Sequence, residues 1–81
     1  MSAASDKLSE LIGHSVGEDF VLGIRHRLAV TWDLHDIEDH DIVATTELIR
    51  MRIDKGKHAE PGDVEHWRKQ IANMVALIKR Q

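Results

Sequence analysis

Residues 20–34 read Phe-Val-Leu-Gly-Ile-Arg-His-Arg-Leu-Ala-Val-Thr-Trp-Asp-Leu, and two periodicities compete in them. At helical spacing, Phe20, Val21, Ile24, Leu28 and Trp32 fall along one face. Taken alternately, Phe20, Leu22, Ile24, His26, Leu28, Val30, Trp32 and Leu34 form the row of a half-buried strand, and Val30-Thr31-Trp32 has high β propensity. A strand needs a partner, and no other segment alternates in this way. No Asn-Gly or Asp-Gly turn divides this one into a hairpin. Upstream, Ser15-Val16-Gly17-Glu18 fits a capping box, in which the serine hydroxyl accepts from the backbone three residues on and the glutamate reaches back. The balance favours a helix from about Val16 to Trp32. The alternative is an α+β fold with a strand at about 19–34 paired across a dimer. His26 separates the two readings, because it joins the apolar row of the strand and faces away from that of the helix.

Working outward, three further segments show helical spacing. Asp6 to Gly13 carries Leu8, Leu11 and Ile12 and stops at a glycine, preceded by a short flexible N-terminus at about 1–5. A third helix is expected from Ile37 or Asp39 to Lys55, ended by Gly56. Ile42, Ile49 and Ile53 lie on one side of it, and Ile37, Ala44, Leu48 and Met51 lie nearly opposite. Apolar on two sides, it should be packed by a helix on each flank, one of which could come from a second subunit. The stretch from Gly56 to Asp63 holds the sole proline and reads as a loop. The last helix, from about Gly62 to Lys79, spaces Val64, Trp67, Ile71, Met74, Val75 and Ile78 as an apolar seam. Asp63 and Glu65 suit the positive end of its dipole, and Lys79 and Arg80 the negative end. The fold class is therefore all-α: one domain over 1–81, a small bundle of three to four helices completed by dimerisation.

Composition narrows the function. A chain of 81 residues buries roughly 60–65% of its unfolded surface, so a partner chain would add stability. With 42% hydrophobic and 31% charged residues, it is too apolar and too mixed in sign for disorder. It has no cysteine, which removes disulfides, thiolate catalysis and cysteine-containing zinc motifs together. No apolar run approaches a membrane span, and the start Met-Ser-Ala-Ala-Ser-Asp lacks the basic and apolar regions of a signal peptide, so cytoplasmic residence is expected. The net charge of −3 hides a division. Residues 1–41 hold three basic groups against nine acidic ones, and residues 42–81 hold eight against five. Between chains, that asymmetry favours placing one protomer's acidic segment near another's basic one.

The densest chemistry lies at 33–41, Asp-Leu-His-Asp-Ile-Glu-Asp-His-Asp. As local structure it is an acidic helix start: Asp36 or Asp39 can cap, while Glu38, Asp39 and Asp41 complement the dipole. As a metal site, His35 with Asp39, or Asp36 with His40, would be pairs four residues apart, with His58 or His66 completing the set. The run matches neither the His-Glu-x-x-His pattern nor an EF-hand loop, and no metal or other cofactor is expected. His35 and His40, among surrounding carboxylates, could also make the segment pH-responsive.

Enzyme motifs are missing: none of the serines sits in a Gly-x-Ser-x-Gly elbow, and there is no P-loop, Gly-x-Gly-x-x-Gly or deaminase signature. Size and acidity are similar to those of acyl carrier proteins, but their Asp-Ser-Leu attachment site is absent. The nearest match is His14-Ser15-Val16, which excludes the family. Arg50, Arg52, Lys55 and Lys57, joined by Arg68 and Lys69, offer a basic 50–57 and 68–69 surface for nucleic acid. The loop between the last two helices is nevertheless too long for a helix-turn-helix, and the chain is acidic overall. The remaining reading is a non-enzymatic protein–protein interaction module, a homodimer acting as inhibitor, adaptor or assembly factor of a larger macromolecule. Its candidate contacts are Asp33, Asp36, Glu38, Asp39, Asp41 and Trp67, with Trp32 a second aromatic anchor. Nucleic-acid binding and divalent-metal response are the alternatives.

Overall fold

The competition within 20–34 resolves as helix. The protein is described here by a computed structural model covering residues 2–56 and 63–80, in which it forms four helices. These are α1 (Ala3–Ile12), α2 (Glu18–Trp32), α3 (Asp39–Asp54) and α4 (Val64–Lys79). No strand occurs among the described residues, and the chain is a small all-α bundle. The strand reading of 19–34 fails because the fold divides the alternating row. Phe20, Val21, Ile24 and Leu28 are buried, whereas Leu22 and Val30 are 61% and 71% exposed and His26 is exposed as well. Of the expected loop, Lys57 to Gly62 lie outside the described residues, and with them fall Lys57, His58, Pro61 and the expected helix start at Gly62. Helix α4 begins at Val64, where the Asp63 carboxylate accepts from the Glu65 amide at 2.8 Å.

The start of the chain differs most from expectation. Residues 2–5 are not a flexible tail. Ser2 caps α1, and Ala4 and Ser5 are fully buried. The Ser5 amide donates to Ser2 Oγ at 3.2 Å, and the Ser2 amide donates to Ser5 Oγ at 3.1 Å and to Glu18 Oε2 at 2.9 Å. Glu18 is therefore engaged at the N-terminus of α1, and the capping box expected at Ser15 does not form. Gly17 caps α2 without a side-chain bond, and Ser15 is exposed. The link between the helices is closed instead by Ser9, whose hydroxyl oxygen accepts from the Val16 amide at 3.0 Å. Gly13 supplies the left-handed stop of α1 at φ 97°, with its amide on the Ser9 carbonyl at 2.9 Å.

Helix α4 packs against α2 and α3, while α1 packs against α3 and more lightly against α2. Six residues of α4 are buried: Trp67, Ile71, Ala72, Met74, Val75 and Ala76. Gly23 leaves room for the Arg68 side chain to lie across α2, since a Cβ there would lie 2.9 Å from Arg68 Nε. The Arg68 guanidinium stacks over the Phe20 ring at 5.0 Å. It also donates to Glu65 at 3.1 Å, and Arg27 from α2 pairs with the same carboxylate.

Helix α3 buries Ile42, Thr45, Thr46 and Ile49. One edge of this stripe meets α1 along an open groove of about 170 Å³ lined by Lys7, Glu10, Leu11, Thr46, Glu47 and Arg50. The other edge meets α4, where Arg52 Nη1 lies 3.7 Å from Met74 Sδ and Lys79 Nζ lies 3.6 Å from Asp41. Both neighbours thus share one side of α3, so the expected packing on opposite flanks does not arise within the chain. Ala44, Leu48 and Met51 are left exposed, while Ile37 precedes the helix and is buried. The Thr46 hydroxyl donates to the Ile42 carbonyl at 2.8 Å, but the fully buried Thr45 Oγ1 has no partner among the described residues.

Two outcomes are expected. Thr45→Val replaces an orphaned hydroxyl by a methyl group of the same shape and should raise unfolding free energy by about 1–3 kcal/mol, read from urea titration. Hydrogen bonds from Ser2 hold the Glu18 carboxyl below its ordinary value of 4.5. Its contribution to stability is complete above that value and is lost as pH falls through the lower folded-state pKa. Glu18→Gln should therefore flatten the acid limb of the stability profile below pH 4.5, and melting temperatures at stepped pH check this.

Candidate functional site

The segment from Asp33 to Glu38 joins α2 to α3 and contains no regular secondary structure. Its ends are pinned from below. Leu34 and Ile37 turn inward against the core, which leaves the residues between and around them facing out. At the α2 end, Arg80 from α4 donates to the Trp32 carbonyl at 2.5 Å and lies 5.8 Å over the Trp32 ring. The last turn of α2 is thereby held by the end of α4, and Trp32 is half-buried against the core.

Asp33 stands just past α2 in the left-handed conformation, φ 55°, the one non-glycine residue of positive φ among those described. It is also an anion at the negative end of a helix dipole. Both features oppose local stability, and its side chain meets His35 Nε2 at 2.9 Å. Asp36 is exposed. Glu38, rather than Asp36 or Asp39, is the N-cap of α3, and its amide donates to Asp41 Oδ2 at 2.9 Å.

The five carboxylates therefore divide into two groups. Asp39 is paired with Arg25 of α2, and Asp41, nearly buried, serves the helix start and faces Lys79 of α4. These two hold helices together. Asp33, Asp36 and Glu38 are exposed, and no lysine or arginine among the described residues pairs with them. Sequence reasoning grouped all five as contacts; what it could not see is that Arg25 and Lys79 come from other helices to neutralise two of them.

The metal readings are not assembled. His35 bonds Asp33 rather than Asp39. His40 lies 3.5 Å from Asp41 and 3.9 Å from Glu38, on its own helix start. No group of three or more His, Asp or Glu side chains placed to hold an ion occurs among the described residues, and His58 lies outside them. Trp67 corrects the sequence reading directly: at 4% exposure it is a core residue at the centre of the α4 seam, and it offers no contact surface. The basic set is likewise divided. Arg68 pairs with Glu65 and lies over Phe20 within the bundle, Arg52 reaches across to Met74, and Arg50 lines the groove against α1. Lys55 and Lys69 are exposed. A second open groove of about 290 Å³, lined by Gly23, His26, Arg27, Val30, Thr31 and Arg68, lies over the α2–α4 contact. Sequence reasoning missed it, since only the glycine opposite an arginine could have signalled it.

No protein-family model, curated protein or solved structure matches the chain. No helix among the described residues is long and apolar enough to cross a membrane.

The geometry at Asp33 yields a direct expectation. Asp33→Asn keeps a side chain that tolerates the left-handed conformation but removes the anion from the negative end of α2, and should raise stability by about 0.3–1 kcal/mol at low salt. The gain should shrink as ionic strength rises, which chemical denaturation at two salt concentrations measures.

Proposed function

We propose that the protein is a small non-enzymatic interaction module that presents the acidic connection between α2 and α3 to a basic surface on a larger macromolecule, as an inhibitor, adaptor or assembly factor does. The observation that supports this reading is the division of the carboxylates just described. Asp39 and Asp41 are matched by internal cations, and Asp33, Asp36 and Glu38 are left without one. A fold that neutralises two of five acids from neighbouring helices could have neutralised more. The three it leaves project from a short irregular connection whose ends are fixed by Leu34, Ile37 and the Arg80 clamp on Trp32.

A set of exposed anions that no lysine or arginine among the described residues pairs with suits electrostatic recognition, in which complementary charge governs the rate and specificity of encounter more than raw affinity. A local cost also appears at Asp33, an anion at the negative end of α2 in a left-handed stop that glycine would fill without strain, and such costs concentrate where sequence serves something other than folding.

The test is affinity capture from native cell extract with quantitative identification of retained proteins, comparing three chains. One is the parent, one carries Asp33→Asn, Asp36→Asn and Glu38→Gln, and one, the control, carries Asp6→Asn, Glu10→Gln and Asp19→Asn, which changes the net charge by the same amount at other exposed positions. A protein retained by the parent and the control but lost with the first variant, with loss also at raised salt, is the expected outcome. Equal retention by all three chains would sink the proposal.

A further inference from the structure

We infer that the exposed face of α3 is the contact surface for a second copy of this chain, packed antiparallel about Leu48. The inference stands apart from the acidic connection and rests on three observations. First, Ala44, Leu48 and Met51 fall at i, i+4 and i+7 on the side of α3 that neither α1 nor α4 covers, with Leu48 40% and Met51 53% exposed. They form one contiguous stripe over two turns. The other exposed large apolar residues do not: Leu22 and Val30 stand two turns apart on α2 with His26 between them, and Leu77 is isolated on α4.

Second, the charges along α3 are graded. Asp39 and Asp41 are matched within the chain by Arg25 and Lys79, which leaves the exposed Glu38 and Glu47 at and before the middle of α3 and the exposed Arg50, Arg52 and Lys55 beyond it, opposed by Asp54 alone. A parallel pair would set like charges together, whereas an antiparallel pair sets unlike ones together and opposes the two helix dipoles favourably.

Third, the flanks of the stripe match themselves under that symmetry. In an antiparallel pair, each flank meets the same flank of the second copy. On the side toward α4 lie Asp41 and Arg52; on the side toward α1 lie Glu47 and Arg50. Centred near Leu48, Ala44 falls opposite Met51 of the second copy, and the exposed Glu47 falls beside its exposed Arg50. A surface that meets its own image with both apolar and charged partners in register is what a two-fold contact requires. The acidic connection lies beyond the N-terminal end of this stripe, once in each copy, so the dimer would present it twice.

The experiment is sedimentation equilibrium of the full chain over a wide concentration range. The expected result is a dimer with Kd on the order of micromolar. Leu48→Glu should weaken it more than about tenfold while leaving the helical circular dichroism and melting temperature of the monomer in place, because the side chain is already exposed. Val30→Glu should leave the dimer unchanged. Glu47→Arg and Arg50→Glu should each weaken self-association, and mixing the two variants should restore a heterodimer, since each mutated side chain then meets its complement. A short bis-maleimide should link two copies of Leu48→Cys, in an otherwise cysteine-free chain, and fail to link Val30→Cys. A chain monomeric to about 1 mM, a dimer indifferent to Leu48→Glu, or a mixture that fails to restore association would each overturn the inference.

Discussion

The structure depends on a single helix being covered on two sides. Helix α4 buries Trp67, Ile71, Ala72, Met74, Val75 and Ala76 against α2 and α3 together, and the other contacts are organised around that burial. Deep burial of several large apolar side chains is worth on the order of a few kcal/mol each, well above any exposed ion pair in the molecule. Arginines then dress the edges of the seam. Arg68 and Arg27 converge on Glu65 above the α2 contact, and Arg80 reaches back to the end of α2. Helix α1, which does not share extensively in the α4 seam, is added along the other edge of the buried stripe of α3 and is secured at its ends by serines and by Glu18.

The seam of α4 was legible in the sequence because its apolar residues repeat at helical spacing without competing features. The competition in α2 was harder to resolve. Most of its large hydrophobic residues occupy even positions, yet the fold buries those that share a helical face, the odd-numbered Val21 among them, and leaves Leu22 and Val30 in solvent. A sequence that exposes large apolar residues on a helix imitates a strand, and what argued otherwise was the absence of a second alternating segment or a hairpin turn, together with a capping box that the fold does not form. On α3 both apolar stripes were visible, but the sequence could not say that α1 and α4 would crowd onto one of them. Two threonines, Thr45 and Thr46, complete that buried side, and residues of that type do not mark a core stripe when read by hydrophobicity.

Caps were the least legible feature. Ser15 followed by Glu18 satisfies the capping-box pattern, but a glutamate side chain serves whichever orphan amide lies nearest in three dimensions, and Ser2 lay nearer. The same kind of long-range pairing governed the acidic segment. Its density was plain in the sequence, while its division into structural and unpaired carboxylates depended on Arg25 and Lys79, which are 14 and 38 residues distant from their partners Asp39 and Asp41. Trp67 shows the converse: an aromatic residue on a strong apolar seam is first a core residue, and its frequency at interfaces says little until burial is known.

The order of packing has a consequence for how the chain reaches this state. Extensive contacts join α1 to α3 and α2 to α4, each pair separated by an intervening helix, while the sequence neighbours α1 and α2 touch only lightly. An up-and-down bundle can grow by adding each helix to the one before it. Here only α3 and α4 can close as a local hairpin, and α2 has to wait for α4 before its apolar face is covered. The entropy of closing those longer loops is lost before the contacts that repay it exist, so collapse should be slower than in a simple bundle of equal length. During synthesis, the first half of the chain leaves the ribosome with its principal packing surfaces still to be made.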